Sequence, residues 1–161
     1  MSIDVLDPKI LRRNLLLEAA IDKQLDALVR QANQTAALLE RTAMEENQLR
    51  NLLNVAVTSG SPEVVINFIR YQIAREQDKW GRGDNEFGHT VIRDLRETVN
   101  QLAGTVEKHV KKNMPDAPEA ETLHQTAYVR LMQLYLGYLN RAFYYGKKAG
   151  DFKRLRGNAN G

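Results

Sequence analysis

Two Glu-x-x-His spacings, Glu86-Phe-Gly-His89 and Glu121-Thr-Leu-His124, are the residues best arranged for chemistry in this sequence. Helical bundles that hold a pair of iron or manganese ions use two such motifs plus one Glu from each of two other helices, all projecting inward. Position argues against that use here. Glu86 falls in the glycine-containing stretch WGRGDNEFG, and Glu121 stands in the first turn after the break at Met114-Pro-Asp-Ala-Pro118, where an acid offsets the helix dipole. His89, His109 and His124 therefore read as surface or helix-end side chains, and no metal ligands or cofactor are expected. Gly81-Arg-Gly83 lacks the strand-to-helix context and the Lys-Ser/Thr of a phosphate loop. Ser2, Ser59 and Ser61 fall at the terminus or in turns, outside any nucleophile elbow. The sequence has no cysteine, which excludes disulfides, thiolate metal ligands and cysteine nucleophiles and suits a reducing compartment. These features point away from an enzyme, with no catalytic residue.

What remains is recognition by arginine, lysine and tyrosine. Net charge is only +3, but over residues 141–161 six basic side chains face the single acid Asp151, which suits either a polyanionic partner or a solvated tail that keeps the protein soluble. Proteins that hold nucleic acid without reading its sequence use basic side chains on phosphates and aromatic rings under exposed bases. Arg50, Arg70, Arg75, Lys147 and Lys148 could supply such contacts. Each also has a plain reading as a solvated charge. Arg75 stands apart, because helical spacing sets it beside Val64, Phe68 and Tyr71, where a cation needs a paired acid or a bound anion.

The element that must position these groups is the stretch 122–148, TLHQTAYVRLMQLYLGYLNRAFYYGKK. Its large apolar side chains cover more than one stripe of a helix, so it is expected to be a central core helix wrapped by others, ending at Gly146 before Lys147 and Lys148. Before it, Asp7-Pro8 opens a helical pattern that runs to about Leu39, as one helix or as two parted near residues 31–35. Thr42-Ala-Met-Glu45 has the spacing of a capping box, and its helix stops at Ser59-Gly60. Ser61-Pro62-Glu63 starts the next, expected to end before Gly81. The helical pattern resumes from about Thr90 to Lys112. Period-two alternation is missing throughout. The fold class expected is all-α, a single-domain bundle of about five helices over residues 1–150, followed by a loose basic tail, 151–161. The opening MSIDVLDPKI lacks the basic and apolar regions of a secretory signal, and no apolar run reaches the length of a membrane span, so a cytoplasmic protein without membrane contact is expected.

Four strings in order carry a resemblance: NQLRNLLNVAV, VVINFIRYQIARE, Trp80 with Gly88-His-Thr-Val-Ile-Arg93, and LYLGYLNRAFYYGKK. Together, over residues 45–150, they resemble the small subunit of CRISPR interference complexes, most closely the C-terminal helical part of the type I-D large subunit. The resemblance implies a non-catalytic helical subunit of a Cascade-like effector in antiviral defence. It would bind the guide RNA–target DNA hybrid, or the single-stranded non-target DNA of an R-loop, and would pack against the large subunit, the backbone subunits and further copies of itself. Arg50, Arg70, Arg75, Arg141, Lys147 and Lys148 are the residues it implies for nucleic-acid binding. The alternative is a helical protein–protein adaptor or scaffold whose basic tail only solubilises it.

Overall fold

The computed structural model describes residues 7–157, and within them the chain is helical with no strand. Helix α1 covers Pro8–Asp22; the Asp7 carboxylate accepts the Lys9 amide at 2.9 Å and proline fills the first helical position. The expected choice between one helix and two resolves as two, parted at Lys23 and Gln24 rather than near residue 33: α2 is Leu25–Ala36 and closes in a 3-10 turn, Ala37–Leu39. Helix α3 is Glu46–Ser59. Its cap is one turn later than the Thr42 spacing suggested, with Gln48 Oε1 accepting the Glu45 amide at 3.2 Å, while Thr42 donates its hydroxyl to the Leu39 carbonyl at 2.9 Å. Gly60, at φ 62°, ends α3 in the left-handed conformation.

Helix α4, Pro62–Arg75, starts on the Ser61 hydroxyl and stops at Glu76, short of the expected boundary; a four-residue helix α5, Gln77–Trp80, follows. The stop has a cause in Glu76, whose carboxylate accepts from Gln48 of α3 at 2.7 Å and from Lys79 at 3.1 Å. After the glycine loop, α6 (Phe87–Arg93), a π-helical segment (Asp94–Val99) and α7 (Asn100–Asn113) form one uninterrupted rod. The rod begins at Phe87, and its second residue, Gly88, lies against Ile73 of α4, where a Cβ would sit 2.5 Å from Ile73 Cγ1.

Helix α8, Leu123–Ala149, is the central helix, packed against α2, α3 and α7 with Leu131, Met132, Tyr135, Leu136, Leu139 and Phe143 in the core. It is not wrapped all round: Arg130, Arg141, Tyr144 and Lys148 form an exposed strip. Nor does it end at Gly146. That glycine is buried inside the helix, where a Cβ would come 2.6 Å from the Phe152 ring, and Gly150 provides the left-handed cap at φ 65°. The expected loose tail accordingly folds back as far as Gly157. Phe152 and Leu155 are buried, Lys153–Arg156 forms a 3-10 turn, and Arg156 pairs with Glu40. Residues 158–161 lie outside the described part of the chain, as do residues 1–6.

One buried polar knot joins three of these elements. Asp94, the first residue of the π segment, is 4% exposed, and its carboxylate receives Thr35 Oγ1 at 2.5 Å, Gln31 Nε2 at 2.9 Å and the hydroxyl of fully buried Tyr135 at 2.5 Å. Burial pushes the Asp94 carboxyl above its ordinary value, against the lowering effect of the three donors. Removing the carboxylate leaves buried donors without an acceptor, each at about 1–3 kcal/mol, so Asp94→Ala is expected to lower unfolding free energy by roughly 3 kcal/mol or more in urea titration. The raised value also fixes a sign. The native state holds this proton more tightly than the unfolded chain, so the Asp94 contribution is fully present below 3.8 and declines as pH rises through the raised native value. Relative to Asp94→Asn, which does not titrate, wild type is expected to lose stability as pH rises across that window.

Candidate nucleic-acid interface

Helices α3 and α8 lie antiparallel. Lys148 near the end of α8 meets Glu46 at the start of α3 at 3.3 Å, and Gln133 donates to the Ala56 carbonyl near the end of α3 at 3.2 Å. Between them runs an open groove of about 390 Å³. Its walls are Leu53 and Val57 from α3 and Arg130, Gln133, Leu134, Gly137, Tyr138 and Arg141 from α8. Positions 130, 134, 137, 138 and 141 recur at helical spacing, so two guanidinium groups bracket a floor of Leu134, the Gly137 backbone and Tyr138 along one face, with Gln133 beside it. Over the eleven residues from Arg130 to Arg141 the helix rises about 16 Å. Arg50 is exposed one turn before Leu53, at the Arg141 end of the groove given the antiparallel pairing.

The six residues singled out from the sequence divide into three groups. Arg141 lines the groove, and Arg50 is exposed on α3 one turn before the groove wall at Leu53. Lys147 and Lys148 sit at the far end of α8 and are already engaged: Lys148 in the Glu46 pair and 5.9 Å over the Tyr144 ring, Lys147 in a 3.4 Å bond to the Met44 carbonyl and 5.6 Å over Phe143. Arg70 and Arg75 lie on α4, away from the groove lining. Arg75 is exposed, with its guanidinium 5.3 Å from the Tyr71 ring centroid, so its stem and charge rest on an aromatic face instead of an internal carboxylate. Among the described residues no carboxylate lies within ion-pairing distance of Arg50, Arg70, Arg75, Arg130 or Arg141. Arg130 and Gly137 were missed in the sequence. The signal is present in the 130, 134, 137, 141 spacing, but apolar residues over most of the helix circumference outweigh it.

The Glu-x-x-His motifs point elsewhere. Glu86 accepts the Gly83 amide at 3.0 Å within its own loop, and Glu121 is exposed. His124 instead joins α8 to α7, with Nε2 2.7 Å from Asn100 Oδ1 and Nδ1 3.5 Å from Glu107. The Lys111 ammonium, 3.0 Å from Glu107, holds that carboxyl below its usual range. Among the described residues no group of three or more His, Asp or Glu side chains converges as a metal site would require. None of the described helices is long and apolar enough to cross a membrane. No family model, curated protein or solved structure matches the chain.

Because Arg130 and Arg141 have no internal partner among the described residues, replacing both with alanine is expected to leave unfolding free energy within about 1 kcal/mol of wild type by denaturant titration, the scale of two surface substitutions.

Proposed function

We propose that the chain is a non-catalytic, nucleic-acid-binding subunit that grips the phosphate backbone, and that it serves as the small subunit of a type I-D-like CRISPR effector. The observation that carries this reading is the set of exposed arginines without carboxylate partners among the described residues, Arg130 and Arg141 lining one groove, Arg50 on α3 one turn before its wall, and Arg70 and Arg75 on α4. An arginine fork left unpaired matches phosphate geometry and costs no internal ion pair when it binds. In that setting the partners are the guide RNA–target DNA hybrid or the displaced single-stranded DNA, with the large subunit, the backbone subunits and further copies of the chain alongside. The resemblance of the helical strings over residues 45–150 supports the effector; the arginines support the binding. The same reading puts the protein in the cytoplasm.

A second reading, a helical adaptor, draws on one observation. Leu11 and Leu15, one turn apart on α1, are 58% and 63% exposed, as a protein contact face requires. Salt dependence separates the two. Affinity for single-stranded DNA is expected to fall with a log-log slope of about −0.7 for each phosphate engaged, and alanine at Arg50, Arg130 and Arg141 together is expected to flatten the slope by about 2. Alanine at Arg70 and Arg75 is expected to weaken retention of an R-loop by the assembled complex with helix content unchanged. If the wild-type chain ignores single-stranded DNA and R-loops at low salt, alone and in its assembly, the adaptor reading takes over.

A further inference from the structure

The interior glycines of this fold are of two kinds. Gly88 and Gly146 are dictated by packing, since a Cβ at either would collide with Ile73 or with the Phe152 ring. Gly137 is not. It lies in the middle of α8, a Cβ there would meet nothing within 4 Å, and a glycine in a helix interior is about 1 kcal/mol worse than alanine. Packing gives no reason for it. Its effect is to leave the floor of the α3–α8 groove bare, with the half-buried Tyr138 and the aliphatic Leu53 and Leu134 around it and an arginine at each end.

We infer that this groove seats an unpaired nucleobase, so that the protein prefers single strands to duplex; this rests on the nucleic-acid reading above and specifies which form is held. An open groove of about 390 Å³ falls near the lower end of the roughly 300–1,000 Å³ of small-ligand sites, with room for a planar ring system. Among the described residues its charged lining groups are Arg130 and Arg141, set about 16 Å apart along α8, where each can meet a phosphate of a strand whose base rests over Gly137 against the Tyr138 ring. A base paired within a duplex presents only its edge and cannot enter. The charge complementarity is to a polyanion, and the apolar floor is complementary to the flat face that only an unstacked base offers.

The test fills the slot without touching its charge. Gly137→Leu adds a side chain where there is space and improves helix propensity, so melting temperature is expected to hold or rise; Gly137→Ala serves as the small control. Binding is measured for the whole chain with three probes of equal length: a thymidine oligonucleotide, its abasic counterpart with the same phosphates, and a duplex. For wild type the thymidine strand is expected to bind about tenfold more tightly than the abasic strand, the scale of one base–aromatic stack. Gly137→Leu is expected to abolish that difference, so that thymidine and abasic strands bind alike, and Gly137→Ala to retain most of it. Equal binding of thymidine and abasic strands by wild type overturns the base site yet leaves backbone binding standing. An unchanged thymidine preference in Gly137→Leu locates base contact elsewhere and overturns it too. Failure of wild type to bind any probe removes both this inference and the reading beneath it.

Discussion

A carboxylate taken out of water must be matched by donors or it will not stay buried, and Asp94 imposes that condition on three elements at once. Gln31 and Thr35 come from α2, Tyr135 comes from α8, and Asp94 itself begins the π segment between α6 and α7. Hydrophobic contact among these helices is tolerant of sliding and rotation, because one aliphatic surface fits another in several registers. Three hydrogen bonds to one carboxylate are not tolerant, and a helix shifted by one residue would strand a buried donor. The knot therefore sets the register of α8 against α2 and the rod, and hence which face of α8 remains open. Tyr135, whose hydroxyl burial and the adjoining carboxylate push well above the ordinary phenol value, stays a proton donor in that role.

How much of this was legible in the sequence depends on whether the deciding force is local. Caps are local: Asp7-Pro8, Ser61-Pro62 and Gly60 all act within a few residues and were readable. So was the all-helical class, and so was the central place of α8. Boundaries set by distant partners were not readable. Glu76 ends α4 because it reaches Gln48, and α8 runs past Gly146 because Phe152 comes back to lie on that glycine. The tail 151–157 looked loose because its charges dominate its composition, whereas two apolar side chains, Phe152 and Leu155, anchor it.

The candidate site shows the same division. Arg50 and Arg141 were identified as single residues, but that they lie at the same end of two helices depends on α3 and α8 being antiparallel neighbours, which no spacing within either helix states. Arg130 and Gly137 were hidden by the density of aromatic and aliphatic residues in α8. Reading that helix as wrapped throughout made its open strip invisible. Arg75 was correctly set beside Tyr71, but the choice between an internal acid and an open position was a tertiary question, and the structure leaves it open to solvent.

The distribution of acids explains why cationic groups are left over in a chain whose net charge is small. Many carboxylates are engaged in joining elements: Glu76 links α3 to α5, Glu107 links α7 to α8, Glu40 takes Arg156 and Glu46 takes Lys148. Asp94 is engaged in the core, accepting from Gln31, Thr35 and Tyr135. The arginines of the outer flanks of α3, α4 and α8 are thus without local compensation among the described residues, and their field reaches solvent over roughly a Debye length of about 8–10 Å. A formal charge near balance can in this way coexist with a locally positive face. What decides recognition is which charges the fold has already matched.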